Sequence, residues 1–118
     1  MTIPQSTIRR VQAMELRIRI ERVAIDAWRR VCPAVDPSES GQIGARLTFL
    51  LVGLDGVRFS NAYRAIRLGR HVYGRTSDVL HGRVNMVNVS KVEIDAWREA
   101  VERLEEIANT VNAPVTIW

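Results

Sequence analysis

Apolar residues in the first quarter of the chain recur at helical spacing. Leu16, Ile20, Val23, Ala24, Ala27 and Val31 fall on one side of a helix over about 7–31, while Val11, Met14, Ile18 and Ile25 fall on nearly the opposite side. A helix apolar on two sides has two partners. One side is expected to pack on its own chain and the other on a second subunit, with Val11, Met14, Ile18, Ile25 and Trp28 as the dimer interface. LRIRIERV at 16–23 also alternates apolar and charged residues, the period of a strand, so a dimer-forming strand is the competing reading. Helix is preferred.

The stretch PAVDPSESGQ, at 33–42, holds two prolines, a glycine and small polar residues, the composition of a linker. It divides an N-terminal element, 1–32, from a second unit at 43–110 and a tail at 111–118. A helix is expected over 43–52, stopping at the Asp55-Gly56 turn signal. Another is expected over 61–68, capped by Ser60 and ended by Gly69. The best-marked element follows Ser90-Lys91-Val92-Glu93, a capping box flanked by Val89 and Ile94 as a hydrophobic staple. Ile94, Trp97, Val101, Leu104 and Ala108 then repeat at steps of three and four, predicting a helix to about 109. After Pro114 the β-prone VTIW leaves two readings open, a short C-terminal strand or Trp118 docked on the surface. The fold class is mainly α, a small helical bundle.

The pentapeptide IDAWR occurs twice, around Trp28 and around Trp97. The match does not extend to a repeat of domain length, so it reads as shared helix grammar. It serves the core at Trp97 and an interface at Trp28.

Composition narrows the classes. The 118 residues, 47% of them apolar, suit one compact unit with a modest core. The start MTIPQSTIRRVQAME lacks an apolar run, and LTFLLVGL at 47–54 is too short to span a bilayer, so a cytoplasmic location is expected. Cys32 is the single cysteine, which leaves neither a disulfide nor a thiolate cluster for zinc. No metal or other cofactor is expected. The net charge of +4 is unevenly spread: six arginines against Asp78 lie between Val57 and Arg83, whereas six acids against two arginines lie between Val92 and Glu106. Such a basic region attracts a polyanion or an acidic protein.

RLTFLLVGLDGVRFSNAYRAIRLG, TSDVLHGR and NVSKVEIDAWREAV together resemble the Cro and phage-repressor helix-turn-helix family, over roughly 45–108. The first stretch is similar to that family's first two helices, the second to the end of its recognition helix, and the third to the Ser-capped helix that follows. The resemblance implies a bundle containing a helix-turn-helix, double-stranded DNA as partner, and a recognition helix lying in the major groove. With Gly74 inside it, that helix is expected to start only after the glycine, with RTSDVLH as its body. Arg75, Thr76, Ser77 and Asp78 would then reach base edges. Arg64, Arg67, Arg70, His71, Arg83 and Lys91 would hold phosphates.

Other chemistry is thin. His71 and His81 have no obvious carboxylate partner, and SGQIGAR lacks the Gly-Lys-Ser/Thr ending of a phosphate loop. Nothing requires an enzyme. Tyr63 and Tyr73 lie among arginines, as nucleic-acid stacking residues can. Two function classes follow. One is a homodimeric, sequence-specific, repressor-like DNA-binding regulator. The other is a phage or bacterial adaptor whose arginine-rich face and Trp anchors meet an acidic partner protein.

Overall fold

The structure, a computed structural model, describes residues 2–33, 43–81 and 89–111. Among the described residues lie the helices α1 (Gln5–Val31), α2 (Ile43–Leu47), α3 (Gly56–Leu80) and α4 (Lys91–Val111), with a 3₁₀ turn at Thr48–Leu51 after α2. Three of them, α1, α3 and α4, each pack on the other two as a small helical bundle. Arg19 meets Glu105 while Gln5 and Ile8 lie beside Lys91 and Ile94, so α1 and α4 run the same way. Tyr73 bonds Glu21 and Arg75 approaches Glu93, so α3 runs against both.

The 16–23 segment is helical, which removes the strand reading. Its buried side is Ala13, Leu16, Ile20, Val23, Ala24 and Ala27, close to the face its sequence spacing predicts. The helix stops where Pro33 pushes the preceding residue out of helical space: Cys32 sits at φ −128°, ψ 64°, its N–H donating to the Trp28 carbonyl at 2.7 Å. In α4, the Ser90 hydroxyl accepts from the Glu93 N–H at 3.1 Å, and Val89 and Ile94 are both buried, as the cap and staple require. Its buried stripe is Ile94, Trp97, Val101, Leu104 and Ala108. The VTIW tail and Trp118 lie outside the described residues.

The middle of the chain departs from expectation. Instead of a helix over 61–68, a turn and a short recognition helix, α3 is one unbroken helix of 25 residues. Ser60, the expected cap, lies inside it, and the N-cap is Asp55, whose carbonyl accepts from the Phe59 N–H at 3.2 Å. Gly69 does not end the helix. A single buried stripe, Ala62, Ala65, Ile66, Gly69, Val72, Thr76 and Val79, runs across the place where the turn was expected. A Cβ at Gly69 would stand 3.0 Å from a Leu104 methyl, so this glycine permits close approach of α3 to α4. The turn lies earlier, between Gly53 (φ +85°) and Gly56 (φ +55°). The described residues therefore hold no helix-turn-helix with its corner at Gly69.

The two IDAWR copies present different sides. In α4, Ile94 and Trp97 enter the core and Ala96 faces out; in α1, Ala27 is fully buried while Ile25 and Trp28 are half-buried at the margins.

Candidate nucleic-acid interface

Because the inner side of α3 is a continuous apolar stripe, its remaining positions form a long outer face. Arg64, Arg67, Arg70 and His71 are all exposed there, and α3 carries no carboxylate before Asp78. Arg58, exposed at the start of the helix, is instead in line with the buried stripe, four residues before Ala62, and lines a pocket with Glu106 and Ile107 of α4. Arg64, Arg67, Leu68 and His71 line a shallow groove of about 450 Å³. Arg70 leans over α2, its Nε 3.1 Å from where a Cβ of Gly44 would be. Near the start of the helix, Phe59 and Tyr63 are one turn apart with their rings stacked at 6.4 Å and 7°, though 40% and 48% exposed. Arg64, Arg67, Arg70 and the aromatic pair share one helix, giving a rigid positive surface with flat apolar rings at one end.

The residues expected to read bases are turned inward. Thr76 is fully buried, its hydroxyl donating to the Tyr73 carbonyl at 2.9 Å. Ser77 accepts a hydrogen bond from Arg17, and Arg75 is half-buried 3.9 Å from Glu93. Asp78 is half-buried and already engaged. An unbroken helix keeps the rotation of its inner stripe, so these last turns face α1 and α4 rather than solvent. Of the expected phosphate contacts, Arg64, Arg67, Arg70 and His71 are brought together on α3. Lys91 instead lies in the cleft between α1 and α4 with Gln5, Arg9 and Asp95, and Arg83 lies outside the described residues.

Polar clasps hold this face in place. Arg17 stacks 4.1 Å over the Tyr73 ring and lies 3.4 Å from Glu21, which accepts the Tyr73 hydroxyl proton at 3.0 Å. Burial, then that hydrogen bond, pushes the Tyr73 pKa above its ordinary 10.0, with the Arg17 charge opposing. Arg19 grips Glu105 with two bonds, of 3.1 and 2.5 Å, and the carboxylate holds the guanidinium more firmly protonated than usual. Periodicity pairs Arg17 with Glu21, four residues on, but could not show that Tyr73 and Glu105 join α1 from far along the chain. The Phe59–Tyr63 pair has the four-residue spacing of helix neighbours, but the helix expected over 61–68 left Phe59 outside it.

Among the expected interface residues, Val11, Met14 and Ile18 are exposed on α1 and Ile25 is half-buried. Trp28 has a partner within its own chain: its ring meets Phe49 edge-on at 5.0 Å and lies 5.7 Å from the Arg46 guanidinium. It fastens the 3₁₀ turn to α1, a use its helical position alone could not reveal. Trp97 is a core residue, 5% exposed. No group of three or more His, Cys, Asp or Glu suited to a metal ion exists among the described residues, and none of their helices is long and apolar enough to cross a membrane. Comparison with known family models, curated proteins and solved structures finds no significant match to this chain.

Proposed function

We propose that this chain is a nucleic-acid-binding protein, not an enzyme, that works through the outer face of α3. The observation that carries the reading is the face of Arg64, Arg67 and Arg70, on a helix with no carboxylate before Asp78, beside the exposed Phe59–Tyr63 pair. Guanidinium groups spaced along a rigid helix match a line of phosphates, and exposed rings at its end offer a stacking platform for a base. With Thr76 buried and Arg75 and Ser77 occupied by Glu93 and Arg17, the contacts left are to the backbone. Binding is then governed by charge more than by sequence, which narrows the repressor-like role to a DNA-associated one with shallow sequence preference. The proposal places the protein in the cytoplasm, with the nucleic acid it contacts.

Titration of labelled duplex and single-stranded oligonucleotides of mixed sequence tests this at about 50 mM salt, where nonspecific phosphate contacts are strong. Binding of several unrelated sequences with similar affinity supports the reading. No binding to either form overturns it. A second reading has its own observation: Val57, Leu68, Phe59 and Tyr63 expose apolar surface among the arginines, the composition of a protein contact. If both oligonucleotide forms are ignored, this face belongs to an acidic protein partner.

A further inference from the structure

Among the described residues, the outer face of α1 leaves apolar side chains uncovered. Val11 is 63% exposed, Met14 44% and Ile18 41%, with Ile25 half-buried two turns beyond. Isolated exposed aliphatics are ordinary, but a contiguous stripe marks a contact surface. The charges on the same face say what covers it. Arg22 and Arg29 stand in line with Val11 and Ile18 at steps of seven and four, and Glu15 flanks that line, 3.7 Å from Arg19 on its own helix.

We infer that two copies of this chain pair through α1 in antiparallel orientation, with Ile18 at the two-fold axis. Val11 then meets the partner's Ile25, and Met14 lies along the aliphatic stem of the partner's Arg22. Glu15 faces the guanidinium of that same partner arginine, and symmetry makes each contact twice. A parallel pair would set every residue of the seam against its own copy, with Arg22 on Arg22 and Arg29 on Arg29, and like charges across such a seam oppose association. Antiparallel pairing sends Arg29 to the partner's Thr7 instead. Charge therefore selects the orientation, and four aliphatic side chains from each copy supply the contact. An interface of this extent belongs to the weak class, with a dissociation constant of roughly 1–100 µM. All its residues lie on α1, so the inference stands apart from the nucleic-acid reading and is tested without nucleic acid.

Sedimentation equilibrium and disulfide trapping test it in a Cys32→Ser background. The parent should show a monomer–dimer equilibrium. Ile18→Glu, which sets two carboxylates together at the axis, should leave only monomer while circular dichroism stays unchanged, because Ile18 faces outward. Val92→Glu, at a position 77% exposed on α4, should leave the equilibrium intact. Arg22→Glu should raise the dissociation constant about fivefold, and the swap Glu15→Arg with Arg22→Glu should recover most of the loss. Ile18→Cys should trap a covalent dimer on its own, whereas Val11→Cys should do so only when mixed with Ile25→Cys. A monomer up to about 1 mM protein, where even a 4 kcal/mol contact registers, overturns the inference. Trapping by Val11→Cys alone as readily as by Ile18→Cys overturns the antiparallel orientation.

Discussion

Gly69 and Gly74 lie in the same unbroken helix yet should respond oppositely to alanine. At Gly74 the backbone is helical, the position is exposed, and nothing lies within 4 Å of an added Cβ. The substitution therefore collects the helix-propensity difference, about 0.8–1.0 kcal/mol, with no packing cost. For a chain of this size that raises the melting temperature by about 4 °C. At Gly69 the same gain is opposed by a Cβ set 3.0 Å from a methyl of Leu104, which is fully buried and has little room to retreat. Overpacking of that kind costs about 1–3 kcal/mol, so a net loss of roughly 1 kcal/mol is expected. Urea titration followed by the fluorescence of buried Trp97 reads both, the m-value staying constant if only stability changes. Leu104→Val should shorten the opposing side chain and make the two changes couple by about 1 kcal/mol in favour of the double variant. A neutral or destabilising Gly74→Ala would refute the continuous helix. A stabilising Gly69→Ala would refute the close contact with α4.

Two further outcomes follow from the polar clasps. In the folded chain Tyr73 keeps its proton above pH 10.0, so the stability this brings is complete below pH 10.0 and is lost as pH rises from there towards the raised value. Tyr73→Phe should cost about 1 kcal/mol at neutral pH through the lost bond to Glu21, and should flatten the alkaline decline in a stability-versus-pH series; an unchanged decline would separate it from Tyr73. Arg19 and Glu105 are 22% and 33% exposed, so a double-mutant cycle with alanine should give a coupling of no more than about 1 kcal/mol that shrinks in high salt. Zero coupling at low salt would remove the clasp from the account.

The fold was legible wherever local signals and burial agreed. The capping box at Ser90 and the stripe from Ile94 to Ala108 named α4 almost to the residue, because cap, staple and periodicity all act within a few turns. The inner face of α1 was readable for the same reason. Gly69 misled, because a glycine that ends a helix and one that lets two helices touch look identical until the partner, Leu104, is known. That single ambiguity carried the candidate site with it. Placing a turn at 69 freed Thr76 and Ser77 for DNA, whereas the unbroken helix buries one and gives the other to Arg17. The arginines at 64, 67 and 70 stayed exposed because clustered charge on a stretch of helix without carboxylates needs solvent whatever the local geometry.

The central claim, that the outer face of α3 binds nucleic acid through its arginines, is tested most directly by the salt dependence of duplex binding. Three phosphate contacts, from Arg64, Arg67 and Arg70, give a slope of log Kobs against log salt of about −2.7, roughly a fortyfold loss of affinity between 50 and 200 mM. The Arg64→Gln, Arg67→Gln double variant should bring the slope to about −0.9, while Arg75→Gln, at a residue turned toward Glu93, should leave it unchanged. A parent protein that does not bind duplex at 50 mM salt, or a slope that responds to Arg75 and not to Arg64 and Arg67, would contradict the account.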